Sequence, residues 1–418
     1  MEEHIRKVKY NSRLCIIIYI SGLLDFLGVS IIVPNILPYA RNLGSSPTLL
    51  GVLGSVYGCI QLLSSPIVGK WSDLVTKQYS LSLCLLLCSF GYASLGIVAS
   101  LIVLFCGRFI LGCFKHSQTI SKAFLADIVS KESLPAELGK FNSFSSIGFI
   151  IGPIIGGHLA DSSGGFMLVA LVAGVVFLIN AALIWWTIPA GSQLINKQRQ
   201  EDSIENNKLY SDESDFTFTK LLTSFKEFDW ADLWDLFLIK FLAGFSVLVF
   251  RSNFSLVLKD KYDANQKIIG YLTSYSGAVA TLFGFFMYNV IKRYSSTAQL
   301  FYHVTILQVF TILCLMLCST ITQLVIFLAP LSVITCISRV TSTTITLSRI
   351  MNRNTGSIMG LNQTVLAMAR MLAPFAAGVA QEFSVDGAAY LSIFTASASV
   401  LMMWWRPQCP EIRRMKSQ

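Results

Sequence analysis

A small set of ionisable side chains interrupts otherwise apolar stretches of this sequence: Asp25, Arg108, Lys115, His116, Lys240, Arg339 and Arg370. A charge held in hydrocarbon costs about 3 kcal/mol or more, so each is expected to face protein or a water-filled cavity. One carboxylate among cations can carry a proton or balance charge, and the cations left over can bind an anion. His116 adds a group whose ordinary pKa lies near neutrality. Helical spacing gathers the polar residues. Arg108, Gly112, Lys115 and Thr119 fall at i, i+4, i+7 and i+11, and Ser332, Cys336, Arg339 and Thr343 repeat that spacing. Asn362 or Gln363 with Arg370 makes a shorter polar face. Structural roles stand beside these: an Arg108–Asp25 ion pair, Lys115, His116 and Lys240 near a membrane edge where lysine snorkels, Arg251 in the interface and His303 packed.

Composition dictates the elements that must position these groups. The chain has 418 residues, 54% hydrophobic and only 13% charged, and its mean hydropathy is +0.62. Soluble domains carry about 25% charged residues, so a polytopic, all-α membrane protein is predicted and disorder is excluded. A spanning helix takes about 20 residues. Twelve apolar runs of that order centre on residues 17–38, 49–68, 80–100, 101–125, 141–160, 166–188, 233–256, 268–291, 300–318, 324–347, 358–381 and 390–405. Spans four and seven are interrupted by charge. The runs lack the alternation of a membrane β-barrel. The polar stretch 190–229 reads as a cytoplasmic linker between two six-helix bundles, 1–189 and 230–418, and its end, 216–228, has apolar residues near helical spacing.

Lys and Arg set the orientation. With the N-terminus in the cytoplasm, that side collects Arg6, Lys7, Lys9, Arg13, Lys70, Lys77, Lys131, Lys140, Lys292 and Arg293, among others, while the other side keeps Arg41, Lys259, Lys261 and Lys267. Both termini are therefore expected in the cytoplasm. The net charge of +9 is then topological, and no nucleic-acid partner is expected. The first apolar run is long and contains Asp25 and Pro34, unlike a cleaved signal. The ten cysteines read as packing residues rather than disulfide or metal ligands. Asn253 opens a glycosylation sequon beside span seven.

Spans five and eleven repeat each other. Gly148, Gly152, Pro153, Gly156 and Gly157 align with Ala369, Ala373, Pro374, Ala377 and Gly378, and both sets keep a ridge of small residues that lets helix backbones approach. Arg370 stands where span five has Phe149.

Three motifs resemble those of the major facilitator superfamily. Gly69, Asp73 and Lys77 resemble its loop signature between spans two and three. Arg108 with Gly112 resembles its fourth-span Arg-x-x-x-Gly signature. Gly148, Gly152, Pro153, Gly156 and Gly157 resemble its fifth-span antiporter signature, and the run at Asp127 fits the same pattern. Leu74, Thr76 and Gln78 depart from the loop signature, where a basic residue, a glycine and a second basic residue are usual. Residues 24–34, 114–116, 141–142, 234–235 and 373–374 carry a narrower resemblance, to the tetracycline-exporter-like group.

The resemblance implies two six-helix bundles that rock about a central site, open alternately to each side. It implies that Asp73 sits by a helix N-terminus, that of span eleven, and gates the cytoplasmic side. Gly69, Lys77, Asp127, Gly148, Gly152, Pro153, Gly157 and Pro374 would shape the same movement. The expected function is secondary active transport of a small organic solute, coupled to protons, by a monomer without cofactor in the plasma membrane or an organelle membrane. Asp25, Arg108, Lys115, His116, Arg339 and Arg370 are the expected solute- or proton-binding residues. The surplus of cations favours an organic anion or zwitterion. Export of tetracycline-like drugs against protons is the competing reading, and a transport-inactive sensor or scaffold is a third. No Gly-x-x-x-x-Gly-Lys-Ser/Thr signature for ATP is present, and no side-chain constellation has the spacing of an enzyme site.

Overall fold

A computed structural model of the chain describes residues 2–130, 133–188, 230–294, 296–349 and 355–406. The linker 190–229, its amphipathic end and Cys409 lie outside the described residues. Among those described, all regular structure is helical. The helices are α1 (Glu2–Asn42), α2 (Pro47–Leu74), α3 (Lys77–Ile97), α4 (Leu101–Phe114), α5 (Ser117–Ile128), α6 (Leu134–Ala160), α7 (Gly165–Thr187), α8 (Trp230–Ser252), α9 (Phe254–Tyr262), α10 (Gln266–Lys292), α11 (Thr297–Leu317), α12 (Ile321–Arg349), α13 (Thr355–Phe383) and α14 (Gly387–Trp405).

Among the described residues, ten helices are long and apolar enough to cross a membrane, and α8 with α9, bent by 46°, makes an eleventh as a pair. Helices α4 and α5 have 14 and 12 residues and share the expected fourth span. Spans four and seven, read from the sequence as continuous, are thus broken, at 115–116 and at Asn253. They are the two that charge interrupts.

Local sequence explains the helix starts. Ser46 caps α2 by accepting from the Leu49 amide, with Pro47 at the first position, where its missing N–H costs nothing. Thr76 caps α3 and Asn265 caps α10 in the same way. Thr76 has φ −69°, so the glycine usual at this loop position is not needed here. Trp186, Phe394, Leu401 and Trp404 point outward and are exposed, as a lipid-facing surface requires.

In the first half, α1 packs on α6 and α7, α3 on α7, and α2 on α4. In the second, α8 packs on α13 and α14, and α11 on α12 and α14. The halves meet along α2–α13 and α6–α10. The repeated ridge explains both kinds of contact. A Cβ on Gly148, Gly152 or Gly156 would overlap α1 at the Leu23 carbonyl, Ser30 or the Ile31 carbonyl. The Ser30 hydroxyl uses that proximity to donate to the Gly148 carbonyl at 3.0 Å. The matching Ala369, Ala373 and Ala377 are buried with Phe245 and Val249 of α8. The prolines face the other half: Gly270 of α10 lies against the Pro153 carbonyl, and Gly51 of α2 against that of Pro374.

Bonds between the halves concentrate at one end, beyond these prolines. Thr48 donates to Glu382 from its amide (3.2 Å) and its hydroxyl (3.0 Å). Lys267 pairs with Asp161 at 3.4 Å, Tyr271 bonds His158 at 3.0 Å, and Lys259 reaches the Pro38 carbonyl and Asn42. At the opposite end, Asp73 pairs with Lys77 and Glu137 with Lys140, each within its own half. An added Cβ at Gly69, Gly139 or Gly284 would meet nothing within 4 Å there, and Leu63, Ile67, Leu282 and Phe285 are exposed. Among the described residues, one end is closed by these bonds and the other is open.

The tight α1–α6 approach has a measurable consequence. Gly156→Ala is expected to cost about 1–3 kcal/mol through overpacking, although alanine stands at the matching position 377. Gly139→Ala, in open space, should instead gain about 0.5–1 kcal/mol of helix propensity. Thermal unfolding of the purified variants checks this, and equal midpoints would refute the close approach.

Candidate functional site

The break in span four builds the most polar part of the molecule. Lys115 ends α4 with ψ 62°, and His116 precedes α5 with φ −114° and ψ 9°. Carbonyls freed inside a bilayer must find donors within the protein. Helix α2 supplies them. Gln61 Nε2 donates to the Lys115 carbonyl at 2.9 Å, and Ser64 Oγ donates to the Gly112 carbonyl at 3.0 Å. His116 Nε2 lies 2.8 Å from Ser64 Oγ.

Asp25 of α1 sits at the start of α5. Lys115 Nζ donates to its Oδ1 (2.7 Å) and Oδ2 (2.8 Å), Ser117 Oγ to Oδ1 (2.6 Å) and Gln118 Nε2 to Oδ2 (3.0 Å). Lys115 Nζ also donates to Ser117 Oγ at 3.0 Å and lies 5.3 Å from the Phe177 ring centre. Asp25 is 2% exposed and Lys115 8%. The carboxylate is fully bonded, and the positive end of α5 favours its charge. Removing either partner would leave a buried, uncompensated ion.

Several sequence expectations change here. The acid's partner is Lys115, not Arg108, because the break turns Lys115 out of the phase of α4 and toward α1. Lys115 and His116 are buried, and the Lys115 ammonium is engaged by Asp25 and Ser117 rather than snorkelling. The expected single face through Arg108, Gly112, Lys115 and Thr119 ends at Phe114. Arg108 is instead held 5.4 Å above the Tyr57 ring of α2, with its Nε unpartnered. Gly112 lets α2 come this close, since a Cβ there would stand 2.8 Å from Ile60 Cβ.

In the second half, Lys240 does not snorkel. It is buried and donates to the Ser342 carbonyl and Thr346 Oγ1, both at 3.1 Å, joining α8 to α12. Arg251 lies in the last turn of α8, and its side chain turns to neighbouring helices. It donates to Ser276 Oγ (3.3 Å) and Thr335 Oγ1 (3.5 Å). Arg339 and Arg370 keep exposed side chains, and Arg370 lies within electrostatic reach of Tyr57 across the halves. His303 is exposed between Tyr294 and Tyr302 rather than packed in a core. Asn253, the sequon residue, is buried and donates to Gln381 at 2.6 Å.

Of the expected gating residues, Gly148, Gly152, Pro153 and Pro374 lie in the helix contacts described above, and Gly157 lies against the Gln266 carbonyl of α10. Asp127 is half-buried in the last turn of α5. Asp73 pairs with Lys77, and Gly69 faces open space. Sequence reasoning missed Tyr57, Gln61, Ser64, Ser117 and Gln118. Their spacing on α2 (57, 61, 64) is that of one helix face, a signal available but unremarkable without its partner.

The Major Facilitator Superfamily sequence model matches residues 18–374. Solute carrier family 22 member 18 of Mus musculus is 24% identical over 382 residues, covering 89% of this chain and 91% of that protein. The class E tetracycline resistance protein of Escherichia coli is 29% identical over 166 residues, 38% of this chain and 41% of that one. The crystal structure of a bacterial homologue of the human lysosomal transporter Spinster, inward-facing and occupied, superposes with a TM-score of 0.72 at 14% identity over 95% of each chain. The matched region includes the broken fourth span, the antiporter-like ridge and both halves, and this multi-pass membrane chain belongs to the Major Facilitator Superfamily of secondary transporters for small solutes.

Proposed function

We propose that the protein carries an organic anion or zwitterion by alternating access, coupled to protons. One observation carries the substrate class. Arg108, Arg251, Arg339 and Arg370 lie within spans and take part in none of the ion pairs among the described residues, while the acid Asp25 is matched by Lys115. An excess of guanidinium groups in a low-dielectric crevice favours an anion. The closed end and open end support alternating access. With both termini in the cytoplasm, as the Lys and Arg bias suggests, this arrangement faces inward.

The Asp25 cage supports a coupling role. Protonation of the carboxylate would release Lys115 and with it the junction of α4 and α5, so a proton and a helix movement are linked. His116, tied to α2 through Ser64, is the second candidate. A monomer suffices for this scheme, since both halves of the crevice belong to one chain. Export of a tetracycline-like drug against protons is the second reading. It is favoured by the partial match to the E. coli protein and by the likeness of the motif stretches to major facilitator superfamily domain-containing protein 9. Asp73 and Lys77 would close the open end in the opposite state.

Two outcomes are expected in proteoliposomes assayed with labelled organic anions and tetracycline, with and without a pH gradient. Asp25→Asn alone should lose gradient-driven flux, but it also strands Lys115 at a cost of about 3–5 kcal/mol. The pair Asp25→Asn with Lys115→Met restores charge balance and should recover folded yield without recovering coupling; full gradient-driven flux in that double variant would sink the proton role. Arg370→Ala should raise KM for an anionic solute about tenfold, the scale of one lost charge-assisted bond. An unchanged KM removes Arg370 from the binding path.

A further inference from the structure

We propose that Arg251 and Arg339 form one anion subsite in the second half, and that it holds the acidic head group, a carboxylate or sulfonate, of the transported solute. This rests on the organic-anion reading above and locates the charge within it. Arg251 lies in the last turn of α8, where the span breaks before α9. Its guanidinium crosses to α10 and α12, donating from Nη2 to Ser276 Oγ at 3.3 Å and Thr335 Oγ1 at 3.5 Å. Thr335 stands one turn from Arg339 on the same face of α12, a Cβ separation of about 6 Å.

The two guanidinium groups are thus within electrostatic reach of each other, and both remain exposed. Neither takes part in an ion pair among the described residues. The acids of this half whose side chains are described lie elsewhere. Asp235 is near the start of α8. Asp260, Asp263, Glu382 and Asp386 lie toward the closed end, where Lys261 holds Asp386 and Thr48 meets Glu382.

Like charges at this depth repel, and an anion between them removes the repulsion. The neighbouring hydroxyls do not compete for it as donors. Thr335 gives its proton to the Leu331 carbonyl, Ser332 lies against the Leu328 carbonyl, and Ser276 shares a 2.7 Å bond with Ser332. Only Nη2 of Arg251 is engaged by them. The remaining N–H groups match the planar fork that binds a carboxylate or sulfonate through two oxygens. Break, cross-helix anchor and second arginine together make a half-assembled clamp that a solute's acidic group completes.

The test titrates 4-toluenesulfonate into the purified full-length protein in nanodiscs and reads the thermal unfolding midpoint, with 4-toluenesulfonamide as the uncharged counterpart. Binding to the folded state raises the midpoint by mass action. The sulfonate should stabilise the wild type and the sulfonamide should not. Arg251→Gln and Arg339→Gln should each weaken the apparent affinity at least tenfold, with Arg251→Lys in between. Without anion, Arg339→Gln should be no less stable than wild type, because it relieves a repulsion; the same midpoints report whether the variants fold. Equal sulfonate shifts in wild type and both variants, or no shift in wild type, would overturn the subsite. So would a shift lost only in Arg370→Gln, which moves the anion to that residue. Uptake by the same variants separates the two ideas. Anion flux undiminished in both glutamine variants sinks the subsite and leaves the transporter reading intact. Arginine-dependent binding with no flux of any solute sinks the transporter reading and leaves the subsite.

Discussion

Inside a bilayer a helix can break only where the protein supplies donors for the carbonyls set free. Much of the first half is arranged around that requirement at Lys115 and His116. Gln61 and Ser64 of α2 take the carbonyls, so α2 must lie close to α4, and Gly112 provides the room. The break also turns Lys115 toward α1, where Asp25 accepts its charge, and it exposes the start of α5 to the same carboxylate. One local departure from helical geometry thereby ties α1, α2, α4 and α5 into a single polar unit. Neither ion can be removed alone without stranding the other.

Close backbone approach is the second constraint. Without a hydrophobic driving force between helices in lipid, α1 and α6 hold together through packing and short hydrogen bonds, which glycine at 148, 152 and 156 permits. Alanine performs the corresponding task against α8 in the second half. The prolines beside these ridges turn to the opposite half and meet glycines of α10 and α2. Each repeated helix therefore has one face committed to its own half and one to the other. That division leaves α2–α13 and α6–α10 as the seams between the halves, while each half is internally packed.

Charge is distributed unequally between the halves. The first half balances its buried acid with a lysine. The second carries Arg251, which faces hydroxyls rather than carboxylates, and Arg339 within its electrostatic reach. Arg108 and Arg370 approach Tyr57 from two sides, one in each half. Under the proposed reading, these unpaired arginines are the groups that would meet an anionic solute.

Much of this was legible in the sequence because it depends on local pattern. Apolar run length revealed the spanning helices, since a bilayer has a fixed thickness. The small-residue ridge and its repeat foretold helix contacts, since only small side chains allow them. The placement of charges in spans one, four, seven, ten and eleven marked the site, since hydrocarbon tolerates charge only where it is used or paired. Which charges meet was a different matter. The phase of Lys115 relative to Arg108 depends on two residues at a helix break that contain neither proline nor glycine, and on donors from α2, so regular helical spacing pointed to the wrong partner for Asp25. Arg251 likewise read as a residue at a span end, and only the packing of α10 and α12 gave it hydroxyl partners. Sequence determined the fold class, the ridges and the residues that carry charge, because those follow from composition and periodicity. Tertiary structure alone decided the ion pairs and the unpaired arginines, because partners on different helices are chosen by packing and by the satisfaction of freed backbone groups.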